Sequence, residues 1–166
     1  MNTCSVQFLL FCAVLAIAFS LMRLLALRQA TRHVTQFYDD RIAPSGLRTT
    51  QFSILAKLKW LGPMTINALA RELVMDRTTL GRTMLPLERD GLISIEDGTV
   101  DRRSKELALT KAGATRLHHA GTLWAEAQKE FEQRFGAGRA DNLRALLGDV
   151  VACPLGAGTT ASVPKR

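Results

Sequence analysis

Thr78, Thr79, Arg82 and Thr83 stand within six residues of one another, and their chemistry is that of recognition. Threonine hydroxyls bond phosphate oxygens and base edges, a threonine methyl packs on a thymine methyl, and a guanidinium forks onto guanine. Further along, Arg102, Arg103 and Lys105 form a second basic group, suited to phosphate or to a narrow A·T-rich minor groove. A capped, solvated helix and an ordinary charged hairpin are the plainer readings of the two groups. Catalysis would need a nucleophile beside a base, paired carboxylates in a cleft, or a metal cluster. His33, His118 and His119 are not at motif spacing, and no His/Cys set has ligand spacing. The expectation is therefore no enzyme activity, no metal and no other cofactor.

Charge alone does not choose between these readings. The chain carries a formal +7 with a pI near 9.9, which favours polyanionic partners. Residues 76–105, which hold both groups, are nevertheless neutral, six basic side chains being matched by six acids. Recognition must then come from where those side chains point. With 47% hydrophobic and 22% charged residues the chain can bury a core. Cys4, Cys12 and Cys153 are scattered in the flanks, the pattern of thiols and not of a disulfide framework.

Apolar periodicity supplies the elements that position these groups. Leu27, Ala30, Val34, Phe37, Tyr38 and Ile42 line one face of a helix ended by Pro44-Ser45-Gly46, and Phe52, Leu55, Leu58 and Leu61 mark a second, from about 49 to 60. Thr65 caps a short helix carrying Ile66, Leu69, Ala70, Leu73 and Val74; Asp76 caps the next, with Leu80, Met84 and Leu87 inward and Gly91 at its end. Two short helices joined by a tight turn form a helix-turn-helix. Pro86 removes a hydrogen bond to the Arg82 carbonyl, so a bend is expected there. Residues 92–96 and 107–110 read as strands around Asp97-Gly98 and the basic loop 101–105, in which Asp101 pairs with a neighbouring arginine. A long helix with Leu117, Ala120, Trp124, Ala127, Phe131 and Phe135 is broken at Gly136-Ala137-Gly138, and a last helix covers 140–151. The tail 153–166 is expected to be disordered.

The order of these elements resembles the MarR family of bacterial regulators. The strings VTQFYDDRIAPSGLRTTQFSIL, LARELVMDRTTLGRTMLPLERDGLI and DRRSKELALTKAG carry the resemblance, over about residues 25–152. It implies a mostly α fold with a small β-hairpin wing: a winged helix-turn-helix (about 65–91, wing about 92–110) flanked by dimerisation helices at about 25–43, 111–135 and 140–151. It further implies a cytoplasmic homodimeric repressor on a palindromic double-stranded operator. Thr78, Thr79, Arg82 and Thr83 would then read the major groove, with Arg102, Arg103 and Lys105 on the wing. Small lipophilic or phenolic effectors often bind in this family. His33, Phe37, Tyr38, Phe52, Trp60 and Trp124 are the residues that could receive one, the plainer reading being core aromatics. A redox-sensing branch is similar, but its cysteine, about fourteen residues before the tyrosine matching Tyr38, falls on Leu24 here.

Residues 1–24 lie outside the resemblance. From 6 to 27 the chain reads VQFLLFCAVLAIAFSLMRLLAL, interrupted by Gln7, Ser20 and Arg23. Three readings stand: a membrane anchor through 6–27, an apolar helix extension buried in a dimer, or a start assigned upstream of a native Met22. An inserted run, followed by Arg23, Arg28 and Arg32, would be an inner-membrane tether leaving the rest of the chain in the cytoplasm. A membrane-tethered winged-helix adaptor and a redox-responsive regulator are the rival functions.

Overall fold

The computed structural model describes the backbone of residues 3–97 and 105–154, and the side chains of 21–97 and 105–154. Two compact units divide the chain, residues 1–124 and 125–166.

In the first unit, α1 (Thr3–Ile42) is a single helix of 40 residues, about 60 Å long at 1.5 Å per residue. The backbone of the N-terminal extension thus continues the helix that the periodicity starts near residue 25. Every side chain from 21 to 33 is exposed, whereas Tyr38 and Ile42 are buried. Among the described residues no helix is long and apolar enough to cross a membrane.

A 3-10 turn (Ala43–Ser45) leads to α2 (Thr49–Leu61). The Asp39 carboxylate on α1 accepts from the Thr49 backbone N–H at 2.6 Å, placing a negative charge at the α2 N-terminus, where the helix dipole favours it. The Arg116 guanidinium donates to the Ser45 carbonyl at 2.9 Å, fastening α5 (Lys111–Phe135) to the turn.

Short β1 (Met64–Thr65) opens the helix-turn-helix. Thr65 caps α3 (Ile66–Glu72), its hydroxyl oxygen accepting from Ala68 N–H at 3.2 Å. Asp76 then caps α4 (Arg77–Arg89). The two helices end alike. At the end of α4, Leu92 N–H bonds to Leu87 C=O at 2.8 Å and Gly91 N–H to Glu88 C=O at 2.9 Å. At the end of α3, Met75 N–H bonds to Ala70 C=O at 2.9 Å and Val74 N–H to Arg71 C=O at 3.2 Å. Both are the paired 6→1 and 5→2 bonds of a Schellman motif, whose C′ residue takes positive φ. Gly91 does so at +67°, and Val74 is forced to +51°.

Strands β2 (Ile93–Asp97) and β3 (Lys105–Leu109) form the wing. The antiparallel sheet has the order β1-β3-β2, with Met64 opposite Leu107 and Ile93 opposite Leu109. The hairpin was expected from alternation; its strands run 93–97 and 105–109 instead of 92–96 and 107–110. Leu92 belongs to the α4 stop, and Lys105 and Glu106 pair across to Asp97 and Glu96. Strand β1 was not anticipated, being two residues whose partner lies more than forty positions away.

The core gathers Ile54, Leu55, Leu58, Leu69, Leu80, Met84, Leu87, Leu92, Ile93, Leu107 and Ala120. It joins α2, both helix-turn-helix elements, the wing base and α5, and so fixes how α4 is presented.

In the second unit, α5 continues to Phe135 and α6 runs Ala137–Ala152. The expected start of the last helix at 140 is corrected. Of the two glycines read as breakers, only Gly136 has positive φ, at +97°, while Gly138 is helical. Phe131 and Phe135 stack at 5.4 Å, with the Arg139 guanidinium 4.6 Å from the Phe135 ring. Leu146, Leu147, Val150 and Val151 are exposed on α6.

Candidate nucleic-acid interface

Helix α4 is two-sided because its apolar residues recur at spacings of four and three. Leu80, Met84 and Leu87 are buried. The opposite stripe, Thr78, Arg82, Leu85 and Arg89, is exposed throughout, with Thr79 exposed at its edge. Pro86 lies inside the helix without ending it, and its carbonyl still accepts from Asp90 N–H at 2.9 Å.

The first turn is set by Asp76, whose carboxylate accepts from Thr79 N–H at 2.8 Å. Hydrogen bonding from the Thr79 side chain, then from the Thr79 backbone, holds the Asp76 carboxyl below its ordinary value of 3.8, with desolvation opposing weakly. The group stays ionised at neutral pH and engages the backbone N–H of Thr79 and, as a smaller contribution, that of Thr78.

The threonines differ in what they can offer. Thr83 is half-buried, and its hydroxyl donates to the Thr79 carbonyl at 2.9 Å. With its proton engaged, Thr83 can only accept, which suits a base amine and not a phosphate oxygen. Thr78 and Arg82 project from the outward stripe. Sequence reasoning missed Leu85 and Arg89 on that stripe; the signal was present, since they follow Thr78 and Arg82 by seven residues. Arg89 is partly occupied by an ion pair with Asp90 at 3.1 Å.

On the wing, Lys105 forms an ion pair with Asp97, its register partner. Both are largely exposed, so the pair is weak and salt-sensitive. Arg102, Arg103 and the expected Asp101 pairing lie outside the described residues. The wing base is held by Thr110, whose hydroxyl donates to Gly91 C=O at 2.7 Å and accepts from Gly113 N–H at 3.0 Å. The end of α4, the wing and the start of α5 thus meet at one side chain.

The six aromatic and histidine positions divide. Trp124 stacks on Tyr38 at 4.2 Å and on Phe52 at 5.0 Å, and Phe37 meets Tyr38 edge-on at 5.2 Å. Trp60, 80% exposed on α2, and His33, exposed on α1, take no part in that stack.

A capped short helix displaying a polar stripe, beside a β-hairpin on a shared core, defines a winged helix-turn-helix regulator. The MarR family model matches residues 47–105. A solved M. tuberculosis transcriptional regulator, MosR, in complex with DNA, is 36% identical with a TM-score of 0.65, covering 76% of this chain and 93% of that one. The homoprotocatechuate degradative operon repressor of Escherichia coli is 27% identical over 128 residues, 77% of this chain and 86% of that protein. The Bacillus subtilis HTH-type transcriptional regulator YwoH is 29% identical over 107 residues, 64% of this chain and 67% of that protein. The chain belongs to the MarR family of transcriptional regulators.

Proposed function

We propose that the chain is a transcriptional repressor that binds a palindromic DNA duplex as a homodimer, working in the cytoplasm. The observation that carries this reading is the outward stripe of α4, with Thr78 and Arg82 exposed beyond an Asp76-capped first turn. Thr78, Thr79, Arg82 and Thr83 enter the major groove, and the wing, through Arg102, Arg103 and Lys105, follows the adjacent backbone and minor groove. Neutrality of residues 76–105 is no obstacle, since Asp76 is engaged as the cap of α4 and the outward stripe Thr78, Arg82, Leu85 and Arg89 carries no acid. The DNA complex of the MosR relative supports the assignment. The binding unit spans about residues 25–152. Within that unit α1 exposes Leu25 and Leu27, and α6 separately exposes Leu146 and Val150; each is apolar surface that dimerisation would cover.

A small aromatic effector is the second part of the reading. The E. coli relative is named for a homoprotocatechuate degradative operon, and a phenolic molecule entering at Tyr38, Trp124 and Phe52 would have to part rings that now stack on one another.

The test is salt-dependent binding to duplex DNA selected from a random pool. A protein neutralising several phosphates loses affinity steeply as salt rises. Arg82→Ala with Arg103→Ala is expected to lose at least about tenfold in affinity and to flatten that slope. Absence of binding at low salt, or a double variant that binds like wild type, overturns the reading.

A further inference from the structure

Glycine inside a helix lowers its stability, and a Cβ on Gly81, in the middle of α4, would meet nothing within 4 Å, as at the helical Gly121, Gly138 and Gly148. What sets Gly81 apart is its place: it flanks the outward stripe of the DNA-facing helix. One turn later on the same flank stands Leu85, 63% exposed, on a helix whose other leucines, Leu80 and Leu87, are buried. Residues four apart are surface neighbours on a helix. Gly81 and Leu85 therefore form an apolar notch: a missing side chain beside a projecting isobutyl group. Thr78 and Arg82 border it, three residues before Gly81 and Leu85 respectively.

We infer that Gly81 and Leu85 form a specificity pocket for the C5-methyl of a thymine in the major groove. The occupant follows from the surroundings. The notch lies among side chains that bond bases and phosphates, and in the major groove the one apolar group a base presents is the thymine methyl. Gly81 lets the helix approach the base edge, and Leu85 covers the methyl. This inference rests on the DNA-binding reading above and adds to it a preference that neither charge nor hydrogen bonding would create.

The experiment uses full-length protein and a duplex it selects from a random pool, with thymines replaced one at a time by deoxyuridine, which removes only the methyl. Wild type is expected to lose about three- to fivefold in affinity at one thymine per half-site, the scale of burying one methyl. Leu85→Ala is expected to bind the thymine and deoxyuridine duplexes equally, with unchanged thermal stability because the side chain is exposed. Gly81→Ala is expected to raise the melting temperature while weakening binding, opposite signs that a merely structural role would not produce. Equal binding of both duplexes by wild type, or discrimination retained in Leu85→Ala, overturns the inference and leaves DNA binding intact. Failure to select any duplex overturns both.

Discussion

Gly113 lies so close to Leu92 that a Cβ on it would stand 2.0 Å from the Leu92 carbonyl oxygen and 2.8 Å from Cδ1 of Leu109. Two of the three atoms it would meet, the Leu92 carbonyl oxygen and carbon, are backbone, which no rotamer change relieves. The same Leu92 carbonyl accepts from Thr110 N–H at 3.2 Å, so α5 cannot retreat without breaking the wing base. Gly113→Ala should cost about 3 kcal/mol, the upper end for overpacking, and lower the urea midpoint accordingly. Gly121→Ala is the control on the same helix. Its Cβ meets nothing within 4 Å, and the change should stabilise by up to about 1 kcal/mol. Equal effects at the two sites would refute the close approach.

Val74 shows the reverse situation. It fills at the end of α3 the C′ place that Gly91 fills at the end of α4, with φ of +51° and its side chain 74% exposed. A β-branched residue there costs on the order of 1–2 kcal/mol, and exposure means that packing returns little. Val74→Gly should therefore gain roughly 0.5–1 kcal/mol, part of the strain relief being offset by the freer unfolded chain. Gly91→Val should lose a comparable amount. Thermal melts of the pair check the signs, and destabilisation by Val74→Gly would show that the turn is not strained.

The cap on α4 carries a pH dependence. Because the folded Asp76 carboxyl titrates below 3.8, its contribution is fully present above that value and is lost as pH falls through the lower folded value. Asp76→Asn keeps a capping oxygen but removes the charge. Wild type should be the more stable of the two at pH 7, with the gap closing in acid. Urea midpoints between pH 7 and 2.5 report it; a gap that persists at the acid end contradicts the cap.

Much of this arrangement was legible in the sequence, because the signals were local. Thr65 and Asp76 cap where they were expected to, each one residue before its helix, and Leu80, Met84 and Leu87 face inward at helical spacing. What was missed depended on partners far away or on backbone geometry. Strand β1 exists only through its pairing with Leu107 and Glu106. Gly138 resembles Gly136 in composition, yet only Gly136 adopts positive φ. The candidate DNA-facing residues were found by type, so Leu85, an apolar residue on a polar stripe, was passed over. The aromatic set, chosen by residue type alone, mixed stacked rings with the isolated Trp60 and His33.

That mixture gives the last test. Trp60 and Trp124 are the two tryptophans of the chain, one 80% exposed and the other stacked between Tyr38 and Phe52. Iodide quenches by collision and reaches only accessible indoles. Trp60→Phe should therefore remove most of the iodide-quenchable emission at little cost in stability, leaving the fluorescence of Trp124. In that single-tryptophan protein a phenolic acid that enters the stack should quench or shift the emission in a saturable way, and at the same concentrations release bound duplex. Quenching without release would identify the stack as a binding place uncoupled from α4, and release without any change in Trp124 emission would place the effector elsewhere.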